Sequence, residues 1–446
     1  MRFIQSCIVS LLTVLASVQA LTYRGADFSS LVNLENSGIT YKDSGVTAKF
    51  ETILKNHGAN LARIRIWTST SNSQYSLNYG LALAKRAVAA GMTLLIDLHY
   101  SDTWADPGHQ GIPSGWPTTL SGLNTQIYTY TNSLVKAFAA QGTSIQYIQI
   151  GNEINDGILW PVGRISVNGY SPLSQLLHSA ANGVRDASST TKIMIHLANG
   201  WDASSVASFY NQIFIAGEFA TGDFDILGFS FYPFYGTGAT YGALQSSLQA
   251  MVTKFGKVRP MSSGCGQFLM EAKDVMVVET DWPAVCSGVA LSDTAIPVSA
   301  EGQSTWVAGI RTILQTLSGG HGIGIVYWEP GWVGNAGLGS SCADALLVDG
   351  SDVNRIPETR QPAREANALF IMEAIACVSV ITASLGAMYV MGRDTKKNEG
   401  SDSPYRPHAG PGTSDASMTS SDVSAAVSVP KPGKERLHHQ PDSRFH

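Results

Sequence analysis

The amino-acid sequence predicts an α/β protein of the (β/α)8 class, the TIM barrel. Short apolar runs alternate with longer stretches of helical periodicity between residues 21 and 349, and the alternation repeats eight times. Polar and charged side chains follow directly where the apolar runs end. Strands that alternate with helices form parallel sheets, and eight such units close into a barrel. The functional residues of such a barrel lie at the carboxyl ends of its strands.

Each predicted strand is a short run of apolar and β-branched residues. The eight runs are Tyr23–Phe28, Leu61–Ile66, Thr93–His99, Ile145–Ile150, Lys192–Leu197, Phe224–Phe231, Val275–Glu279 and Ile323–Trp328. Segments with helical spacing separate them, and in the first of these Phe50, Ile53 and Leu54 fall on one face. The predicted helices are Val46–Asn56, Tyr79–Ala90, Leu123–Gln141, Pro172–Ala187, Ser204–Gly217, Ala243–Phe255 and Gly302–Ser318.

Composition and charge limit the class of partner. The chain has 446 residues, of which 44% are hydrophobic and 14% charged, and its formal net charge is −5. A chain of this size can bury a large core, and because it has no basic excess, nucleic acid is not expected as a partner. The low charge, with 16 tyrosines and 9 tryptophans, fits a secreted enzyme that meets a neutral, polyhydroxylated ligand. We expect a monomer.

The first 20 residues have the pattern of a secretory signal peptide. Arg2 precedes the apolar run Ile8–Val18, and small residues at Val18 and Ala20 mark a cleavage site. We therefore expect the protein to be secreted and the mature chain to begin near Leu21.

Secretion bears on the five cysteines, because disulfides persist in oxidising compartments. Cys7 lies in the predicted signal peptide, which leaves Cys265, Cys286, Cys342 and Cys377 in the mature chain. Cys286 and Cys342 each follow a strand-end segment on the same predicted rim, so we expect these two to form a disulfide. The alternative is a pair of free, buried thiols.

The character of the chain changes after Asp349. Residues 350–373 read as a polar linker, and Ala374–Gly392 carries no charged residue. Cations follow this segment directly, which predicts a single transmembrane helix with the barrel outside the cell. The alternative is an amphipathic segment that does not span a membrane. Residues 393–446, rich in Ser, Pro, Gly and charge, are predicted to be disordered.

Two glutamates close two of the predicted strands. Glu153 follows Ile145–Ile150 in the run Gly151-Asn152-Glu153, and Glu279 ends Val275–Glu279. Cleavage of a glycosidic bond needs one carboxyl that delivers a proton to the leaving oxygen and a second that meets the positive charge at the anomeric carbon. Two strand-end glutamates in one barrel can supply both, so the pair predicts sugar-bond chemistry. The alternative is that both belong to structural ion pairs.

Other polar and aromatic side chains gather at the same predicted rim. The candidates for substrate binding are Arg63, His99, Asp102, Trp104, Asn152, His196, Tyr232 and Trp328. Arg63, and the hydroxyl of Tyr232 or of a neighbouring residue, are expected to keep Glu279 charged, with Arg65 as the alternative cation. The histidines have the alternative of satisfying backbone groups, and the tryptophans that of packing rather than stacking on sugar rings. No clustered set of Asp and Asn indicates a metal, and we expect neither a metal nor a cofactor.

Several segments carry a more specific pattern. They are Leu21–Asp27 (LTYRGAD), His99–Pro107 (HYSDTWADP), Gly151–Ile154 (GNEI), Lys192–Leu197 (KIMIHL), Ser230–Tyr235 (SFYPFY), Val277–Thr280 (VVET), Tyr327–Pro330 (YWEP) and Gly334–Asp344 (GNAGLGSSCAD). Together, and in this order over Leu21–Asp349, they resemble the arabinogalactan endo-β-1,4-galactanases of glycoside hydrolase family 53. The Asn-Glu dipeptide alone is less specific, because retaining barrel glycosidases in general share it.

The resemblance implies a retaining endo-hydrolase that acts on β-1,4-galactan of plant cell-wall pectin, with Glu153 as acid/base and Glu279 as nucleophile. A general acid must hold a proton before attack while the nucleophile is ionised, so we expect a raised pKa for Glu153. Asn152 is expected to donate its amide to the sugar 2-hydroxyl, a contact that tightens in the transition state.

The chain departs from the family pattern at a few positions. Asn155 and Asp156 stand where the family has Arg-Ala, Ala198 stands where it has Asp or Asn, and Asp281 precedes Trp282. Asp281 lies two residues beyond Glu279, and we hypothesise that this extra acid raises pKa values nearby and moves the pH optimum upward. These departures put contacts with the sugar in doubt, while the two glutamates are retained.

A segment before the seventh strand is also foreign to the family pattern. The family passes almost directly from helix to strand, whereas this chain carries Lys257–Lys273 in between. We interpret the segment as either a loop insertion or a translated intron.

Other functions stay open from the sequence. A β-mannanase or cellulase of the same clan would use the same chemistry on another polysaccharide, although the run His99–Pro107 favours galactan. A membrane-tethered, non-catalytic carbohydrate-binding protein is suggested by the predicted anchor and the altered positions, and it would bind without turnover. The presence of both Glu153 and Glu279 argues for the enzyme.

Overall fold

Strands and helices alternate along the part of the chain that the structure, a computed structural model, describes: residues 21–69, 74–256, 259–263, 266–270 and 272–348. The strands are β1 (Tyr23–Asp27), β2 (Tyr41–Asp43), β3 (Val46–Ala48), β4 (Leu61–Ile66), β5 (Thr93–Leu98), β6 (Tyr147–Ile150), β7 (Gly157–Ile158), β8 (Gly163–Arg164), β9 (Lys192–Leu197), β10 (Ile226–Ser230), β11 (Arg259–Ser263), β12 (Gly266–Met270), β13 (Asp274–Glu279) and β14 (Gly322–Tyr327). The α-helices are α1 (Leu31–Asn36), α2 (Phe50–Asn56), α3 (Leu77–Ala89), α4 (Leu120–Ala140), α5 (Ile165–Asn168), α6 (Tyr170–Ala187), α7 (Ala203–Ile215), α8 (Tyr241–Phe255) and α9 (Ala300–Thr316). Short 3-10 helices cover Ser318–Gly320 and Val333–Asn335.

Eight of these strands form a closed barrel with the ring order β1-β4-β5-β6-β9-β10-β13-β14. Neighbours around the ring run parallel, and β1 closes it by pairing with both β4 and β14. Parallel neighbours need a crossover between them, which the intervening helices provide. The predicted (β/α)8 barrel is therefore confirmed, and β4 and β9 have the bounds expected from the sequence.

The interior of the barrel has an apolar layer and a charged layer. Alternate residues of a strand point to opposite faces, so every second residue points inward. Such residues form one buried apolar cluster, most of whose members lie in the amino-terminal halves of their strands: Leu61, Leu95, Tyr147, Met194, Ile226, Met276, Val278 and Val326. Two residues further along three of the strands, the corresponding side chains are Arg63, Asp97 and Gln149, all buried. The charged layer thus lies directly beneath the carboxyl ends of the strands.

Side-chain caps fix where several helices begin. Ser76, Thr119, Thr240 and Ser299 each accept a hydrogen bond from a backbone N–H three residues on, at the starts of α3, α4, α8 and α9. Asp202 caps α7 in the same way. Such caps satisfy backbone donors that have no partner within the helix. They also set the length of the loops between strand ends and helices, and these loops carry the site.

The first predicted helix, Val46–Asn56, is wrong at its start. Residues Val46–Ala48 form β3, which pairs antiparallel with β2, and the helix begins only at Phe50. Ser44 and Gly45 between the two strands have φ values of 51° and 81°. Two consecutive left-handed residues make the tight turn of a two-residue β-hairpin, a signal that helical spacing does not contain.

The segment Lys257–Lys273 contains a hairpin among its described residues. Strands β11 and β12 pair antiparallel, with Arg259 opposite Met270 and Ser263 opposite Gly266. The hairpin lies between α8 and β13, in a connection that leads into the amino-terminal end of a barrel strand. Because sites form at the carboxyl ends of barrel strands, the insertion is not one of the loops that carry the site.

Several predictions concern residues outside the described part of the chain. These are the signal peptide 1–20, the linker 350–373, the transmembrane segment Ala374–Gly392, the tail 393–446, and Cys7, Cys265 and Cys377. Among the residues that the structure does describe, no helix combines the length and the hydropathy needed to cross a bilayer.

Candidate active site

Arg63 is the centre of the charged layer. Its guanidinium donates to Asp27 at 2.8 Å and to Gln149 at 2.7 Å, and one of its nitrogens lies 3.0 Å from Asp97 and 2.7 Å from Glu279. The side chain is only 1% exposed. Coulombic attraction to these carboxylates outweighs the cost of burial, so the pKa of Arg63 stays raised. Arg63 therefore supplies a fixed positive charge beneath the rim.

Glu279 ends β13 and is held by two partners. Arg63 contacts Oε1 at 2.7 Å, and the Tyr232 hydroxyl donates to Oε2 at 2.9 Å. Burial raises the pKa of Glu279, while Arg63 and the Tyr232 hydrogen bond oppose that rise. This is the environment of a carboxylate that is kept ionised with both oxygens oriented.

Glu153 follows β6 in an unusual backbone conformation. Its φ is 48°, a left-handed value that non-glycine residues adopt at a cost and that recurs at functional sites. Burial, followed by the nearby charge of Glu279, raises its pKa to about 8. No cation touches this carboxylate within the described residues, and the hydroxyl oxygen of Ser230 lies 2.6 Å from its Oε1. Glu153 is therefore the member of the pair that carries a proton at neutral pH.

The two carboxylates face each other closely. An oxygen of Glu153 and an oxygen of Glu279 lie within 4.8 Å of each other, together with a ring nitrogen of His196. Carboxyl groups of retaining glycosidases are about 5–5.5 Å apart, whereas inverting enzymes leave about 6.5–9.5 Å for a water molecule. The separation fits direct attack by one carboxylate.

This trio of side chains also has the spacing of a metal site, but its contacts argue against one. Both ring nitrogens of His196 are already engaged, one with Asn152 at 2.8 Å and the other with Ser230 at 2.8 Å. Arg63 holds Glu279 and would repel a cation. The donor set is better suited to proton transfer than to metal binding.

A network of hydrogen bonds orients Asn152 and the histidines. Asn152 accepts from Arg63 at 2.8 Å through Oδ1 and donates to the Ala105 carbonyl at 2.8 Å through Nδ2. The Ala105 amide donates to Nδ1 of His99 at 3.0 Å, and Nε2 of His99 lies 3.0 Å from Asp97. His99 thus has its proton on Nε2, and the loop after β5 is tied to the charged layer.

The site opens into a cleft of about 510 Å³ at the carboxyl ends of the strands. It is lined by His99, Trp104, Ala105, Asp106, Pro107, Asn152, Glu153, Ala198, Asn199, Ser230, Tyr232, Tyr235, Glu279, Trp328, Trp332, Asn335, Leu338 and Gly339. Trp104 and Trp332 stack with their ring centroids 6.0 Å apart, and Trp328 packs edge-on against both. Aromatic faces beside carboxylates are what a sugar polymer needs from a binding cleft.

Most of the predicted site residues lie at this cleft, either in its lining or buried beneath it. His99, Trp104, Asn152, Glu153, Tyr232, Glu279 and Trp328 line it, while Arg63 and His196 lie buried beneath it. Asp102 is not among the lining residues; its oxygens accept from the Thr68 hydroxyl at 2.7 Å and the Ser114 amide at 2.7 Å. Asp102 therefore supports a loop. Arg65, the alternative to Arg63, contacts Glu329 instead of Glu279.

The sequence did not single out every residue of the cleft. Ser230, Tyr235, Trp332 and Asn335 line it but were not predicted to bind substrate. Three of them lie in segments that the sequence had singled out. Ser230 and Tyr235 are the first and last residues of SFYPFY, and Asn335 lies in GNAGLGSSCAD. What was missing is the way ring closure brings loops that are distant in sequence together.

The positions that depart from the family pattern have local roles in the structure. Asn155 bonds to the Ala198 backbone through both its amide nitrogen and its oxygen, which joins the loops after β6 and β9. Asp156 pairs with Arg164 at 2.8 Å in a hairpin away from the lining residues. Asp281 is fully buried, and neither of its carboxylate oxygens accepts a hydrogen bond from the described residues.

A disulfide braces one side of the cleft. Cys286, after β13, is bonded to Cys342, after β14, across 56 residues of chain. Backbone pairing between Val285 and Asp344 runs beside it. A covalent link between two long loops restricts their freedom in the unfolded chain and stabilises the rim.

A (β/α)8 barrel with two facing carboxylates and an aromatic cleft at its carboxyl end defines a glycoside hydrolase. The family model described as Glycosyl hydrolase family 53 matches residues 23–357. The chain belongs to this family.

Similar proteins agree with this assignment. Arabinogalactan endo-beta-1,4-galactanase A of Emericella nidulans is 45% identical over 357 residues, which cover 78% of this chain and 96% of that protein. A solved structure from a study of two fungal beta-1,4-galactanases has a TM-score of 0.70 and 39% identity, and the match covers 79% of this chain and 99% of that chain. The Ignisphaera aggregans GH53 catalytic domain has a TM-score of 0.65 and 25% identity, and the match covers 81% of this chain and 98% of that chain.

Proposed function

We propose that the protein is a retaining endo-hydrolase of β-1,4-galactosidic linkages in galactan and arabinogalactan. The observation that carries this proposal is the pair Glu153 and Glu279, whose oxygens lie within 4.8 Å in an open cleft. The choice of galactan over other β-linked polymers rests on the family and on the printed activity of relatives such as the Emericella nidulans protein.

In the first step, Glu279 attacks the anomeric carbon while Glu153 gives its proton to the glycosidic oxygen. The bond between that carbon and oxygen breaks, and a covalent galactosyl ester forms on Glu279. The environments match these roles, because Arg63 and Tyr232 hold Glu279 ionised and burial keeps the proton on Glu153. Aromatic rings such as Trp328 offer faces on which the sugars stack.

In the second step, the roles of Glu153 reverse. Its carboxylate takes a proton from a water molecule, which attacks the anomeric carbon and releases the sugar from Glu279. Two inversions give net retention of the β configuration. Asn152 acts on the sugar in both steps, and its position in the cleft lining, with its amide held by Arg63 and Ala105, supports this role.

The test is hydrolysis of de-arabinosylated galactan by the full chain, with mannan and cellulose as controls. We expect galacto-oligosaccharides from galactan and little release from the other polymers. Proton NMR during the first minutes is expected to show the β-anomer as the new reducing end. Preferred hydrolysis of mannan or cellulose contradicts the substrate assignment, an initial α-anomer contradicts the mechanism, and binding without turnover favours a carbohydrate-binding protein.

We also propose that the barrel acts outside the cell. The signal-peptide pattern of residues 1–20 and the Cys286–Cys342 disulfide support this location, because disulfides of this kind persist in oxidising compartments. Fractionation of producing cells, with antibody against the barrel, tests it. Recovery from the medium supports release, recovery with membranes supports the predicted anchor Ala374–Gly392, and recovery from the cytosol contradicts both.

A further inference from the structure

Ser230 occupies a position between the acid/base candidate and a buried histidine. Its hydroxyl oxygen lies 2.6 Å from Oε1 of Glu153 and 2.8 Å from Nε2 of His196. Ser230 is 1% exposed and His196 is fully buried. A serine hydroxyl has one hydrogen to donate, so it can donate to only one of these two partners at a time.

Asn152 determines which nitrogen of His196 carries the proton. Oδ1 of Asn152 accepts from Arg63, which can only donate, and Nδ2 donates to the Ala105 carbonyl. The amide orientation is therefore fixed, and Nδ1 of His196, 2.8 Å from the same Oδ1, has to be the donor. The Glu153 amide lies 3.4 Å from Nδ1, a contact too long to compete.

The direction of the remaining hydrogen bonds follows from this tautomer. Burial and then the charge of Arg63 hold the pKa of His196 well below its ordinary value, so the ring is neutral and Nε2 has a free lone pair. Ser230 lies within hydrogen-bond distance of Nε2 and donates its hydrogen there. Its oxygen can then only accept from Glu153, and this requires a protonated carboxyl.

We propose that Ser230 and His196 are positioning residues that hold the acid proton on Glu153. They do so through a chain of hydrogen bonds in which each group donates to the next. The chain runs from the Glu153 carboxyl to Ser230, to Nε2 of His196 and, through Nδ1, to Asn152. The inference rests on the proposed role of Glu153 as acid/base.

Loss of the proton from Glu153 disturbs the chain. When the proton passes to the glycosidic oxygen, the Ser230 hydrogen turns toward the new carboxylate, and Nε2 of His196 is left facing an oxygen lone pair. A buried acceptor without a donor carries a cost, so the ionised form of Glu153 is disfavoured. The chain is restored when water returns a proton to Glu153 in the second step.

Other charged groups also act on this pair and have to be separated from the chain. Glu279 and Asp106 raise the pKa of Glu153 and Arg63 lowers it, while Arg63, Asp97 and His99 act on His196. Tyr232 and Tyr235 have their hydroxyls in the field of the same carboxylate. None of these groups acts through the Ser230 hydroxyl. Variants with and without that hydroxyl therefore separate the chain from the surrounding charges.

The experiment compares the pH dependence of kcat/KM for the parent, His196→Phe, Ser230→Ala and the double variant. In His196→Phe no acceptor competes for the Ser230 hydrogen, which becomes free to donate to ionised Glu153. The alkaline limb is expected to move about one pH unit lower, the size of one hydrogen bond. In the Ser230→Ala background the same histidine change is expected to move the limb no further.

Two kinetic outcomes overturn the proposal. One is an alkaline limb that stays in place when His196 is replaced. The other is a limb that shifts equally with and without the Ser230 hydroxyl, because the effect then comes from the lost ring and not from the chain.

A second measurement does not depend on the folding of His196→Phe or on hydrolysis of galactan. In the parent chain labelled with 15N-histidine, NMR is expected to show His196 protonated on Nδ1 and unprotonated on Nε2. The signal is assigned by its shift in Ser230→Ala. A proton on Nε2 below the pH at which Glu153 ionises overturns the proposal, whereas absence of galactan hydrolysis with this tautomer intact contradicts only the proposed function.

Discussion

Two arginine–glutamate pairs lie side by side in the barrel and do different work. Arg63 and Arg65 are two residues apart on β4, each 1% exposed, and each contacts a glutamate at a strand end. Arg63 holds Glu279, which lines the cleft within 4.8 Å of Glu153. Arg65 holds Glu329, which follows β14, is 1% exposed and is not among the lining residues.

The difference teaches that burial and an ion pair do not by themselves make a catalytic carboxylate. One oxygen of Glu329 accepts from the Ser30 amide at 3.0 Å, the Ser30 hydroxyl at 2.9 Å and Arg65. Glu279 has the same kind of cation partner, but it also has access to the cleft and a second carboxylate opposite. We therefore assign chemistry to the first pair and support of the rim to the second.

The largest expected effect separates the two glutamates by turnover. Glu279→Gln removes the proposed nucleophile, and we expect galactan hydrolysis to fall by a factor on the order of 10⁴ or more. Glu329→Gln keeps an acceptor oxygen for Ser30 and Arg65, so turnover is expected to stay close to that of the parent. Initial rates of reducing-sugar release measure both.

The two changes are isosteric, so each serves as the control for the other. Circular dichroism and the thermal midpoint establish that both variants are folded before rates are compared. Equal loss of turnover in the two folded variants contradicts the division of roles.

The next effect separates the two arginines. Lysine cannot reproduce the contacts of Arg63 with Asp27, Gln149 and Glu279 at once, so Arg63→Lys is expected to lower kcat on the order of 10²-fold. Arg65 stacks over Trp104 at 4.4 Å and donates to Ser30 at 2.8 Å. Arg65→Lys is therefore expected to lower the free energy of unfolding by about 2–3 kcal/mol, with a far smaller change in kcat.

Urea unfolding and steady-state kinetics of the same preparations measure this contrast. A stability loss in Arg63→Lys as large as that in Arg65→Lys, together with similar kcat values, shows that the pairs are interchangeable supports.

Much of this arrangement was predictable from local sequence. The bounds of β4 and β9 follow from apolar runs, and Glu153 and Glu279 follow from polar residues at strand ends. The family resemblance, carried by residues spread over the whole barrel, is confirmed by the family match to residues 23–357. These signals are either local patterns or the order of motifs along the chain, and the sequence alone contains both.

Other features depend on contacts that local pattern does not hold. Glu329 stands at a strand end like Glu153 and shares its left-handed backbone, with φ of 45° against 48°, yet only ring closure decides which one faces the cleft. Ser230 lies opposite Glu279 on the neighbouring strand because the register of β10 against β13 shifts between Phe229 and Ser230. A single shift of register is invisible in an apolar run, so the role of Ser230 had to come from the structure.

A smaller effect tests which carboxyl supplies the proton. With a pKa of about 8, Glu153 is protonated at neutral pH and loses its proton above that value, so kcat/KM is expected to fall about tenfold per unit beyond about pH 8. On an aryl galactoside with a good leaving group, which needs no acid, Glu153→Gln is expected to retain the first step and lose this alkaline limb. Glu329→Gln is expected to keep the limb.

The pH profile on galactan and on the aryl substrate gives the answer. Persistence of the limb in Glu153→Gln, or its loss in Glu329→Gln, contradicts the assignment of the acid.

The smallest expected effect on catalysis concerns an acid that pairs with no cation among the described residues. Asp281 is fully buried beside the Glu279 strand end, and burial, then the charge of Glu279, raise its pKa well above the ordinary value. It is therefore neutral at working pH and does not repel Glu279, so Asp281→Asn is expected to overlay the parent pH–rate profile. A displaced optimum favours the hypothesis that Asp281 moves the pH optimum upward.

The pH dependence of stability is expected to reveal the ionisation of Asp281. Because its folded pKa is raised, its contribution to stability is complete below the unfolded pKa near 3.9 and is lost as pH rises toward the folded pKa. The parent is thus expected to lose stability relative to Asp281→Asn by about 1.4 kcal/mol per pH unit above about pH 4. Urea unfolding of both proteins at several pH values measures this slope, and a constant difference shows that the folded protein holds Asp281 ionised. In that case Asp281, which has no arginine partner among the described residues, is ionised like an arginine-paired glutamate. The contrast between Arg63–Glu279 and Arg65–Glu329 then loses its electrostatic basis.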